Sequence, residues 1–218
     1  MITIKNSVPY DISMSCPVLA ARLDNCCMSN LDATIFISCT EKLLCIIDYD
    51  CNDIMILNEP DWKGHSSSGY GRVHIGDNTI IRELTIINKP TEKLTYVGDD
   101  CYIMNRCFIG HDSHIGNGVQ MNPGSSVAGF VKIGDYSHIG MNASIHQRST
   151  IGKYCVIGAG SFFKGESPDG IIWGGVPARP IKINEVGIER SNMSEKEKCE
   201  LIKSSKSFID SFKSSGDI

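Results

Sequence analysis

From residue 97 an aliphatic side chain returns every six positions without a break: Val97, Ile103, Ile109, Ile115, Met121, Val127, Ile133, Ile139, Ile145, Ile151 and Ile157. Ile75, Ile81 and Ile87 keep the same period upstream, which makes fourteen hexads. An α-helix repeats its apolar positions at 3.6 residues and a simple strand at 2, so a period of six excludes either alone. It calls for short strands joined by tight turns and stacked as a solenoid. Glycine holds the second position in eight hexads, where it supplies backbone freedom to a turn. The fifth position is small or β-branched in all fourteen, as a side chain pointing into a crowded corner must be. The step from Ile87 to Val97 is ten residues, so four extra residues within 88–96 predict a loop leaving one coil.

Composition narrows the function classes. The net charge of −4 argues against a nucleic-acid-binding surface as the main function. No apolar run approaches the ~20 residues of a membrane span, and the first residues lack a charged-then-apolar signal pattern. Ten cysteines suggest a disulfide scaffold, but Cys26 and Cys27 are adjacent and no C-x-x-C pair exists. Cys101, Cys107 and Cys155 fall on the small fifth position, interchangeable there with Ser, Thr and Ala. Reduced thiols and a cytoplasmic location are therefore expected.

The flanks differ from the repeat. Residues 1–72 lack it; apolar runs at 33–37, 43–48 and 53–57 predict strands of a small α/β module, with a helix around Pro17–Asn25 and a linker at 65–71. Residues 73–183 form the repeat domain, and 184–218 a helical segment. Ser194 and Glu197 make a capping box that opens a helix to about Phe212. Leu201, Ile202, Phe208, Ile209 and Phe212 give that helix one apolar face.

The hexads over 73–181, together with GHDSHIGNGVQMNPGSSVAGFVKIGDYSHIG over 110–140, resemble the hexapeptide-repeat acyltransferases. Two branches are close: the acyltransferase that begins lipid A synthesis on UDP-N-acetylglucosamine, and the nucleotide-sugar N-acetyltransferases. The resemblance implies an all-β solenoid, a left-handed parallel β-helix with three hexads per triangular coil, hence four to five coils here. It also implies a homotrimer with sites between subunits. The stretch 31–57 faintly resembles the nucleotide-binding N-terminal domain of the lipid A N-acyltransferases.

The resemblance carries roles to particular residues. In both branches the histidine at His111 is a general base, suited by a pKa near neutrality. Asp112 orients the ring or raises its basicity. The amide of Gly129, one coil away, contacts the thioester oxygen. His146-Gln147 matches a pair near the acceptor, and Asp77 and Asn122 join it as substrate contacts. The segment GGVPARPIK (174–182) resembles the element that lies beside CoA, with Pro177, Ala178 and Arg179 as cofactor contacts. Gly158, Ala159 and Lys164 fall where pantetheine runs, and Trp173 covers the cofactor channel or only the last coil. The lipid A enzyme has a histidine where this chain has Phe130.

Strands 4.8 Å apart put His111 and His146, on one face two coils apart, ~10 Å from each other, too far for a direct hydrogen bond. The family includes zinc carbonic anhydrases, but His111 and His114 lack a third ligand in that pattern, so no metal is expected. The leading expectation is transfer of an acyl group, acetyl from acetyl-CoA, to an amino group of a nucleotide-linked amino sugar. The alternative is hydroxyacyl transfer from acyl carrier protein to a UDP-amino sugar, and a non-catalytic binding β-helix is the third reading.

Overall fold

In a hexad, two residues form a strand and four turn the corner, so the chain changes face every six residues. The computed structural model describes residues 2–3, 46–47, 53–54, 56–58, 72–92 and 94–214. Three parallel sheets form the walls of a triangular prism, a left-handed parallel β-helix. The first face stacks Ile56–Asn58, Ile86–Asn88, Phe108–Ile109, Ser126–Val127, Ser144–Ile145 and Phe162–Phe163. The second stacks Arg72–Ile75, Leu94–Val97, His114–Ile115, Lys132–Ile133, Thr150–Ile151 and Glu166–Ser167. The third stacks Ile80–Ile81, Tyr102–Ile103, Gln120–Met121, His138–Ile139, Val156–Ile157 and Ile171–Gly175.

Each face holds six parallel strands, so the prism has six coils rather than the four to five counted from hexads. The extra strands lack the pattern: Ile56–Asn58 lies upstream of it, and the last coil is built from irregular segments after residue 162. Ile2–Thr3 pairs antiparallel with Ile80–Ile81 at one end of the third face. The expected helix around Pro17–Asn25, the linker 65–71 and most of the expected α/β module lie outside the described residues.

The aliphatic position of every coil points inward. Ile87, Ile109, Val127, Ile145 and Phe163 stack in register on the first face, each no more than 2% exposed. Burying such a side chain stabilises the fold by about 1.5–3 kcal/mol. The fifth position is inward too, and its chemistry has a second cause. Ser113 Oγ donates to Ala128 O at 2.9 Å and Ser137 Oγ to Gly152 O at 2.7 Å, satisfying turn carbonyls of the next coil. Cys101, Cys107 and Cys155 do the same with their thiols and are free, not paired. Burial pushes the Cys101 thiol pKa up to about 11.

The second-position glycines serve another end than the expected turn freedom. The left-handed residue of each turn is the fourth of the hexad, such as Asp112 (φ 56°), Phe130 (φ 59°) and Arg148 (φ 60°). The second-position glycine is required by close approach: a Cβ on Gly140 would meet Ala159 N at 2.5 Å and Gly158 C at 2.6 Å on the next coil. The corner leaves no room between stacked backbones.

The prism is closed at its far end. Ala178–Ile183 folds back antiparallel on the last strand of the third face. Helix α1 (Glu185–Glu189) follows, with Asn184 accepting from Gly187 N at 3.1 Å as its N-cap. Helix α2 (Glu195–Ser214) begins at the expected capping box: Glu197 N donates to Ser194 Oγ, and Ser194 N to Glu197 Oε2 at 2.8 Å. Its apolar side caps the core. Phe208 leans on Trp173 at 6.1 Å between ring centroids, and Trp173 meets Phe163 edge-on at 5.0 Å. Trp173 is buried and its Nε1 donates to Ser167 Oγ at 2.6 Å, so it covers the last coil. Among the described residues, no helix is long and apolar enough to cross a membrane.

Candidate active site

The edge between the first and second faces stacks the loop that follows Asn88 and then four turns, at residues 110–113, 128–131, 146–149 and 164–165. Stacking places His111, Asp112, Gly129, His146, Gln147 and Lys164 on this one edge. Asn122, Gly158 and Ala159 sit instead on the edge between the third and first faces, and Asp77 on the edge between the second and third. Pro177, Ala178 and Arg179 lie on the terminal hairpin, where Ala178 is buried and Arg179 exposed. Within one chain, the residues expected at the site therefore occupy three edges and the hairpin.

His111 is held from two sides. Its Nδ1 lies 2.9 Å from Asp112 Oδ2. Asp112 is an acceptor there, so Nδ1 donates, and in the neutral imidazole this leaves the lone pair on Nε2. Gly129, one coil on, provides the floor under the ring: a Cβ on Gly129 would stand 2.6 Å from Nε2 and 2.7 Å from Cε1. Only glycine leaves the ring its place. Phe130 closes the third side, its ring edge-on to His111 at 5.1 Å and 88°. The His111 side chain remains 20% exposed while that of Asp112 is 6% exposed, so the open side of the pair is the imidazole.

Asp112 is gripped by the loop made of the extra residues. Thr91 N and Oγ1 donate to its Oδ2 at 2.7 and 2.6 Å, and Glu92 N donates to Oδ1 at 2.9 Å. Its own amide donates to Thr95 Oγ1 at 2.9 Å. Burial opposes the charge of Asp112, but the Thr91 hydroxyl, the His111 ring and the two amides outweigh it, holding its carboxyl below the ordinary range. Thr91 holds the fifth position of the Ile87 hexad, while Glu92 and Thr95 belong to no motif in the sequence. The signal for them is the insertion itself, one coil before His111 on the same edge.

His146 does not touch His111; its Nδ1 lies 3.0 Å from Gln147 O, and its ring meets Phe162 edge-on at 6.0 Å. Beside this edge, on the first face, runs a shallow groove of about 390 Å³. Phe108 and Phe162 mark its ends, and Ser126, Ala128, Ser144 and His146 its floor and side. His114 faces away from His111, stacked on Tyr96 at 4.5 Å, with His74 on the other side of that ring at 4.8 Å. Burial lowers the His114 pKa, partly offset by Asp135. Among the described residues, no three His, Cys, Asp or Glu side chains gather to hold a metal.

Residues 94–129 and 130–165 match the family described as bacterial transferase hexapeptide (six repeats). The acyl-[acyl-carrier-protein]–UDP-N-acetylglucosamine O-acyltransferase of Burkholderia orbicola is 37% identical over 153 residues, covering 63% of this chain and 58% of that protein. The enzyme of the same name from Burkholderia thailandensis is 36% identical over 126 residues, covering 56% and 48%. Among solved structures, UDP-N-acetylglucosamine acyltransferase from Campylobacter jejuni superposes with a TM-score of 0.60 at 32% identity, covering 68% of this chain and 58% of that one. The Francisella novicida enzyme gives 0.63 at 29% identity, covering 66% and 54%. The chain spans about half the length of the curated relatives it matches.

Proposed function

We propose that this chain, whose repeat region matches the hexapeptide transferases and resembles UDP-N-acetylglucosamine acyltransferases, moves an acyl group from a thioester to a nucleotide-linked amino sugar. The observation that carries the reading is the His111–Asp112 pair at 2.9 Å with the imidazole Nε2 open beside Gly129. Asp112 holds the tautomer in which Nε2 accepts a proton. Nε2 takes the proton of the acceptor hydroxyl or amine as that atom attacks the thioester carbonyl. The Gly129 amide, which donates to no backbone acceptor among the described residues, offers a hydrogen bond to the oxygen on which charge develops. The C–S bond then breaks, and the thiolate leaves with the proton that His111 returns. The step uses no residue as a covalent nucleophile.

The names of the relatives favour acyl carrier protein as donor and a UDP-linked N-acetylated sugar hydroxyl as acceptor. The second reading, acetyl transfer from acetyl-CoA to a sugar amine, is favoured by the Gly-Val-Pro-Ala-Arg hairpin at 175–179. A homotrimer, in which a neighbouring copy faces the His111 edge, belongs to either reading.

His111→Ala and His111→Gln are expected to lower acyl transfer by about 10²–10⁴-fold with folding intact, followed as free thiol released from acyl carrier protein or CoA. Near-normal turnover by either variant would overturn the assignment. Supplying both donors to the parent chain separates the two readings.

A further inference from the structure

The turn that stacks last on the His111 edge is shorter than the others. Ser144 pairs with Phe162 on the first face, but Thr150 pairs with Glu166 on the second, so this corner spends two residues, Lys164 and Gly165, instead of four. Gly165 takes a φ of 109°, with open space where a Cβ would project. The turn below it, carrying Gln147 and Arg148, is thereby left uncovered, and both residues are exposed.

Arg148 is fixed in this opening. Its guanidinium lies over the Phe130 ring at 4.5 Å, and Phe130 in turn meets His111. Stacking immobilises one face of the guanidinium and leaves its N–H edge free. Among the described residues no ion pair occupies Arg148 or Lys164, both exposed on this corner of a chain with net charge −4. The carboxylates nearest in the stack are Glu166, exposed on the adjoining strand, and Asp112, already accepting four hydrogen bonds.

The geometry points to Arg148, with Lys164 beside it, as the binding point for a phosphate group of a substrate of the His111 site. This rests on the acyl-transfer reading, in which both substrates carry phosphate: a phosphopantetheine thioester on one side, a nucleotide diphosphate on the other. A planar fork matches two phosphate oxygens, and a lysine adds a mobile point charge. Phe130 orients the fork and so acts through Arg148.

The test is direct binding of UDP and of CoA, each measured calorimetrically at low and high salt, to the full chain and to Arg148→Asn and Arg148→Lys. Asparagine is chosen because it tolerates the left-handed φ of 60° at this position, which keeps the fold. Arg148→Asn should weaken one ligand tenfold or more, as expected for loss of charge-assisted hydrogen bonds. Arg148→Lys should recover part of that, and salt should erase much of the difference. Weakening of UDP assigns the acceptor phosphates, and weakening of CoA the donor phosphates. Affinities unchanged within twofold for both ligands, or no binding of either by the parent chain, would overturn the inference. His111→Ala is expected to lose turnover and retain binding, so failure of the acyl-transfer reading is seen separately.

Discussion

At the residue scale, the candidate site is an imidazole whose freedom has been removed on three sides. Asp112 sets the tautomer, Gly129 the floor and Phe130 the wall. Asp112 is also a stability element. Its folded pKa lies below its unfolded value, so ionisation favours the native state. That contribution is complete above the unfolded carboxyl value of about 4 and disappears as pH falls through the folded one. Asp112→Asn should therefore flatten the acid limb of a plot of Tm against pH, with little change in its dependence near pH 7. The same variant should lower turnover by about 10²–10⁴-fold, because an amide can present either of two groups to Nδ1 and no longer dictates the tautomer. An unchanged acid limb would show that the hydrogen bonds from Thr91 and Glu92 do not act on the charged form.

At the element scale, the unit is a two-residue strand and a four-residue turn, and its tolerance is set at the turn. Gly140→Ala would push a methyl into the backbone of Ala159 and Gly158, which cannot swing aside as a side chain can. A loss of about 1–3 kcal/mol is expected, as for overpacking elsewhere. Gly160, with φ 65° and open space where a Cβ would project, should accept Asn at small cost. Thermal unfolding of the pair checks the contrast, and equal losses would contradict the close-approach account. The hexad pattern by itself makes these strands and turns legible. It marks the lengthened corner by a broken period, but not what that loop grips, and it is silent on the shortened corner at Lys164 and Gly165. Insertion and deletion preserve the inward residues and alter only where turn atoms lie. Those two corners supply the loop that holds Asp112 and the opening at Arg148.

At the scale of the whole molecule, a stack of coils exposes an apolar end wherever it stops, and α2 covers one. Phe208→Ala should uncover Trp173 and cost about 1–3 kcal/mol, less than for a fully buried Phe because Phe208 is only half-buried. A lower Tm together with red-shifted tryptophan emission would report it, and an unchanged Tm would show that α2 caps nothing. The sequence alone determined the solenoid, its face-changing period and the inward Ile, Val and Cys ladders, and it singled out His111 with Asp112 as candidates. These follow from side-chain size and spacing, which are local and repeat every six residues. Only the tertiary structure decided that there are six coils, that Thr91 and Glu92 hold Asp112, and that Asp77 and Asn122 stand on other edges than His111. Such relations join residues about eighteen or more positions apart, and they depend on how many residues each corner spends.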